Sequence, residues 1–153
     1  MPIASADLTG AVNTLIGNTE TSDANIKNEW AELAKAFFMN VTMPIFTDHS
    51  AGQSAFKAAL VDDPTGGAAG PSLAAAFEAY AKTAAAGAAG TPKMTPIVPP
   101  SGLTLSGTLA LSVDGADAAT FASTLVGELK TWAALGTYTV DNTIPAPIVL
   151  TWT

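Results

Sequence analysis

Cysteine and arginine are both missing from this chain, and histidine occurs once, at His49. Without cysteine there is no disulfide, no thiolate zinc site, no iron–sulfur cluster and no thiol nucleophile. Without arginine the six cations are all lysines, at Lys27, Lys35, Lys57, Lys82, Lys93 and Lys130, scattered along a chain of net charge -7. Nucleic-acid binding needs a basic stripe that displaces counterions from phosphates, and attraction to an anionic membrane needs a basic cluster. Neither is present in the sequence. Charge of both signs is scarce: 12% of the 153 residues are Asp, Glu, Lys or Arg, against roughly 25% in an ordinary soluble domain. The surface is therefore built largely from Ala, Gly, Ser, Thr and Asn, a composition weakly defended against association and suited to a subunit that hides part of itself against neighbours.

Long apolar runs are also missing. No stretch approaches the ~20 residues needed to span a bilayer, and Met1 to Asp7 has neither the cationic region nor the apolar run of a signal peptide. A soluble chain made in the cytoplasm is expected. Its 153 residues suit a single domain, large enough to fold without staples.

What is there is helical periodicity. Leu8, Val12, Leu15 and Ile16 predict a short helix over about 5–16, and Gly17 follows as a stop. Ile26, Trp30, Leu33, Phe37 and Val41 recur at spacings of four and three, which predicts an amphipathic helix over 24–41, ended ahead of Pro44. Ser50 with Gln53 has capping-box spacing for a helix over 51–61 carrying Phe56 and Leu60. Pro71 opens a helix over 71–86 whose stripe is Leu73, Phe77, Tyr80, Ala81 and Ala84, with Glu78 and Lys82 at pairing distance and Gly87 as its cap. Asp117 caps a last helix, over 117–135, that presents Phe121, Leu125, Leu129 and Trp132, and Gly136 ends it. The Gly/Pro-rich segment 87–102 is the place where a boundary between two lobes would fall. Leu103, Leu105, Leu109, Leu111 and Val113 alternate with small polar residues and predict a strand, or a hairpin about Gly107. Ile148, Leu150 and Trp152 alternate in an extended C-terminal tail that Pro145 and Pro147 restrict to a sheet edge or to lying over a neighbour. The expected class is α+β, predominantly α, with about five helices and a small β component near 103–113 and in the tail. Residues 77–100 and 125–148 echo one another, each a helix with Lys-Thr near its end, a Gly stop and a Pro/Ile-containing extended piece. Shared composition accounts for this better than a duplication does, since two copies fall short of the three or more that make a repeat array.

Chemistry finds little to use. Asp48-His49-Ser50 holds the sole imidazole, but adjacent residues in a turn do not meet in triad geometry, and no Gly-x-Ser-x-Gly elbow is present. A small hydrolase using His49 is the least favoured reading. Asp62-Asp63 and Glu29/Glu32 read as solvated carboxylates. Asp114 to Asp117 lacks the oxygens of a calcium loop, and Gly66 to Gly70 lacks the Gly-Lys-Ser/Thr ending of a phosphate loop. No catalytic, metal or cofactor site is expected. Trp30 and Phe37 could back an apolar pocket in a monomeric binding module, but rings at helical spacing more often fill a core. The interface candidates are Trp132, Pro147, Ile148, Leu150 and Trp152, with Pro99 and Pro100 in the other extended segment. Trp is enriched where interfaces bind hardest, and pre-extended proline segments lose less entropy on docking.

Ala75 to Lys82 running into Gly87, then Pro96-Ile97-Val98-Pro99-Pro100-Ser101-Gly102, and the Pro-rich end closing on Trp152 resemble the small acidic, Cys-free, Ala/Gly/Thr-rich proteins of tailed-bacteriophage virions. Such proteins build tails, baseplates and necks. The resemblance is one of style over about half the chain, and it implies a role without any functional residue. That role is a virion structural subunit, made in the host cytoplasm, whose partners are copies of itself or other virion proteins.

Overall fold

The computed structural model describes residues 23–61, 69–88, 94–108, 117–140 and 146–153. In chain order they form α1 (Asp23–Met39), α2 (His49–Ala59), α3 (Ala69–Ala88), β1 (Met94–Val98), α4 (Ala118–Ala133), β2 (Thr137–Val140) and β3 (Ile148–Thr151). A helical turn at 106–108 lies between β1 and α4. The class is α+β, predominantly α, with a small antiparallel sheet. The helix expected over 5–16 lies outside the described residues.

Aromatic rings on all four of these helices hold the core together. Phe38 of α1 stacks flat on Tyr80 of α3, with ring centroids 4.4 Å apart. It meets Phe37, Phe46 and Trp132 edge-on. Phe46 in turn packs against Trp152 beyond β3 at 5.0 Å, and Phe56 of α2 meets Phe77 of α3 at 5.1 Å. Offset and edge-to-face geometries of this kind contribute about 0.5–1.5 kcal/mol per pair beyond the area they bury. The buried side chains form one cluster drawing on all four helices, on Leu103 and Leu105, and on Tyr138 and Trp152. The stripe read from the sequence of α3, Leu73 to Ala84, is buried throughout. Its many alanines let α2 come close. A Cβ on Gly52 of α2 would stand 2.7 Å from the Tyr80 ring, so only glycine permits that approach.

The helix ends are built from short polar side chains. Asp48 caps α2, its Oδ1 accepting the Ala51 N–H at 3.0 Å. The capping box expected at Ser50 and Gln53 does not form. Ser50 lies inside the helix, and the Gln53 amide donates across to Glu32 of α1 at 2.7 Å. Asp117 caps α4 as expected, accepting from the Thr120 N–H at 2.8 Å, and those hydrogen bonds hold its carboxyl below the usual range. Ser72 is buried and accepts the Val61 N–H at 2.9 Å, which ties the end of α2 to α3. Gly87 does not stop α3, which continues to Ala88.

The β component is placed differently from the sequence expectation. Residues 103–105 belong to neither a helix nor a strand, 106–108 form a helical turn, and 109–116 lie outside the described residues. Leu103 and Leu105 are buried on alternate positions, which is the pattern that reads as strand. Their segment, however, is bonded to helix carboxylates. Glu78 of α3 accepts the Leu103 N–H at 2.9 Å. Glu128 of α4 accepts the Gly107 and Thr108 N–H groups at 2.7 and 3.1 Å, and the Thr108 hydroxyl at 2.5 Å. Donors that a neighbouring strand would satisfy are thus satisfied by side chains. Gly102, at φ 76°, makes the turn into this segment.

The sheet has the order β1-β2-β3, antiparallel throughout. Tyr138 of β2 is buried, and Ile97 and Leu150 pair with it from either side, so these residues define the face turned to the core. Gly136 closes α4 onto β2. A Cβ there would lie 2.7 Å from the Trp152 ring and 2.9 Å from Pro100 Cδ. This glycine exists for close approach, and Ala134 serves as the C-cap.

Candidate assembly interface

β3 is an edge strand, and its hydrogen-bonding direction can be read residue by residue. Trp152 donates its N–H to the Gly136 carbonyl at 3.0 Å, so even-numbered residues face β2. Odd-numbered residues therefore face away. Thr153 shows where they point: its N–H goes to the Met43 carbonyl at 3.0 Å, and its carbonyl accepts from the Thr42 and Met43 N–H groups at 2.6 and 3.1 Å. The outer side of this strand is thus covered by the chain itself at Thr153. Val149 and Thr151 direct their backbone groups to the same side along the open edge.

The side chains of this edge are apolar and uncovered on both faces. Ile148 is 49% exposed, Val149 64% and Leu150 43%. Ile148 and Leu150 share the core-side face with Tyr138, yet both remain half in solvent. Residues 146–153 carry no charged side chain.

The opposite edge is protected. β1 is interrupted: its pairing with β2 is irregular between Met94 and Ile97, an interval that holds Pro96. Prolines, bulges and lysines are the devices that keep sheet edges from pairing with other chains. β1 has two of them and β3 has none.

The sequence-selected candidates divide sharply. Pro147, Ile148 and Leu150 are exposed on the open edge. Trp132 and Trp152 are buried and close the core of their own chain, as is Pro100, which lies against Gly136; Pro99 is half-buried. Val149 is the exposed edge residue that the alternating pattern passes over. It falls on the other face from Ile148 and Leu150, and its signal is the uninterrupted Ile-Val-Leu run. Since Trp152 is part of the core, the tail is no detachable arm.

His49 is a latch between α2 and α3. Its Nδ1 lies 2.9 Å from the Tyr80 hydroxyl, which also approaches the His49 carbonyl at 3.4 Å. Burial holds the imidazole below its ordinary pKa, helped by Lys35, while the Phe46 carbonyl and Asp48 oppose the shift. Burial likewise pushes the Tyr80 phenol up. The neighbouring Asp48 carboxylate is the α2 cap. Phe37 is fully buried and edge-on to Phe38, so it fills the core where the sequence pattern alone would allow an apolar pocket. A shallow groove of about 340 Å³ lies elsewhere, between residues 102–104 and α4, with Glu128, Trp132 and Leu135 among its lining. Among the described residues no group of three His, Asp or Glu side chains converges, and no helix is long and apolar enough to cross a membrane.

The chain matches no family model, and neither a curated protein nor a solved structure is similar to it.

Proposed function

We propose that this protein is a structural subunit that assembles with other protein subunits by adding a strand to the β3 edge, and that it carries out no chemistry of its own. The observation that carries this reading is the asymmetry of the sheet: one edge is broken by an irregular register around Pro96, the other is regular, uncharged and open, with Ile148, Val149 and Leu150 exposed. Strand addition draws its affinity from main-chain hydrogen bonds and its selectivity from alternate side chains, and both are on offer at 148–151. The scarcity of charge and of lysine supports the same reading, since the surface does little to resist association. The resemblance in composition to tailed-phage proteins supports a virion role, as a tail, baseplate or neck component made in the host cytoplasm. Its partners are copies of itself or other virion proteins, and nucleic acid and membrane have no part.

The test is Leu150→Lys, which puts a natural edge-protecting residue on the strand, alongside Leu135→Lys, which puts the same charge on an exposed apolar position away from the edge. Sedimentation velocity across a wide concentration range should show self-association that Leu150→Lys weakens at least tenfold and Leu135→Lys leaves alone. Equal effects of the two lysines would reject the edge as the contact.

A further inference from the structure

We infer that the occupant of the β3 edge is β3 of a second copy of this chain, paired antiparallel about a two-fold axis at Val149 to make one six-stranded sheet. The inference rests on the assembly reading above and adds the partner and the register.

The register follows from which groups point outward. Val149 and Thr151 offer N–H donors away from β2, and Pro147, two residues earlier, has a carbonyl of the same parity and no N–H. With Val149 opposite Val149, each donates to the other. Thr151 then lies opposite Pro147 and donates to its carbonyl. The result is four bonds, with both outward donors of each strand used; Pro147 returns no N–H, so the outward Thr151 carbonyl of each strand is left to water. Pairing ends at Thr151, two residues short of the Met43 segment that covers the outer side of Thr153. A centre one residue later, at Leu150, sets Pro147 of the second copy opposite Thr153, on the side Met43 already occupies.

The side chains agree with this register. Opposed residues share a face, so Ile148 of each copy meets Leu150 of the other on the core-side face, and the two Val149 side chains meet on the outer face. Every apolar side chain that this strand leaves exposed thereby gains an apolar neighbour from an identical strand. Charge favours the match as well. Each copy carries -7 overall, and β3 with its flanks at 146–153 is a stretch of surface where two such chains can meet without opposing carboxylate side chains. A two-fold contact of this kind is closed: it consumes both open edges and leaves only the two protected β1 edges outside. Four residues make a small contact, and contacts under about 1,200 Å² are transient, so the dimer belongs at high chain concentration.

The absence of cysteine makes the test clean. In the full chain, Val149→Cys places two thiols at a pair whose Cα separation would be about 5.5 Å, within disulfide range. Under mild oxidation it should form a covalent dimer at least tenfold faster than Leu135→Cys. Light scattering of the unmodified chain should show the apparent mass rising twofold from 15.4 kDa with concentration. Val149→Pro, which removes an outward N–H and the outer-face Val149 side chain but no bond to β2, should hold it at one chain with an unchanged circular dichroism spectrum. A chain that stays monomeric throughout overturns the two-fold and leaves the edge to a strand of another protein. Association that Val149→Pro abolishes, without preferential cross-linking of the Val149→Cys chain, keeps the edge and overturns the two-fold. Association untouched by Val149→Pro overturns both. Should the proline variant misfold, the cross-linking comparison decides the two-fold by itself.

Discussion

Removing the Glu128 carboxylate should do more damage than any other change of a partly exposed charge. In Glu128→Ala the Gly107 N–H, the Thr108 N–H and the Thr108 hydroxyl all lose their acceptor. Thr108 is buried, so its two donors cannot simply turn to water. Hydrogen bonds to a charged group contribute about 1.5–3 kcal/mol each and are not additive. Glu128 itself is partly exposed, which reduces the figure. A total of about 3 kcal/mol is the working value, and at roughly 2–4 °C per kcal/mol for a chain of this size the melting temperature should fall by roughly 6–12 °C. Glu128→Gln should fall between wild type and Ala, since the two backbone amides bond different carboxylate oxygens and one of these becomes an NH2 that donates and does not accept. Thr108→Val should cost about 1 kcal/mol in wild type and much less when Glu128 is already Ala, because the lost hydroxyl bond is the same one. Calorimetry gives the temperatures, and amide exchange at Gly107 and Thr108 should accelerate selectively. A Glu128→Ala shift under about 2 °C would refute the idea that this carboxylate holds the 103–108 segment in place.

Gly136→Ala should destabilise by about 1–3 kcal/mol, the usual penalty for overpacking, because its Cβ would lie 2.7 Å from Trp152 and 2.9 Å from Pro100; a denaturant midpoint equal to wild type would contradict that packing. His49 gives a pH signature. Its folded pKa lies below the unfolded value of 6.5, so the neutral ring's contribution is complete above 6.5 and is lost as pH falls below it, where the unfolded chain takes up the proton first. Wild-type stability minus that of His49→Gln, from urea titrations, should therefore decline on acidification from neutral pH through 6.5. A difference that is flat or that grows would contradict the latch.

The helices are legible because their signal is local. The stripes at 26–41, 73–84 and 121–132 have one solution, a buried face of period 3.6, and the residues so marked are largely the core. Asp117 as a cap is readable for the same reason. The Leu103 alternation misleads because it reports extended backbone with one buried face and says nothing of what bonds that backbone. Here the partners are Glu78 and Glu128, 25 and 20–21 residues away, and no local pattern distinguishes them from solvated helix carboxylates. Asp48 displaces Ser50 as cap because α2 starts at His49, ahead of its first strongly apolar residue. Trp132 and Trp152 are buried in the core of their own chain: a ring closing a core and a ring at an interface have the same sequence context. The open edge is legible in part, since Ile148 and Leu150 lie on it. The irregular pairing of β1 around Pro96 can be recognised only once the sheet order is known.

The central claim is that the outward side of β3 is where this chain meets its partner, and amide hydrogen exchange along that strand tests it most directly. Ile148 and Leu150 are held by β2 and should exchange slowly in dilute and assembled samples alike, whereas Val149 and Thr151 should exchange fast when dilute and become at least tenfold slower on assembly. Val149 and Thr151 exchanging at the same fast rate in the assembled sample would contradict it.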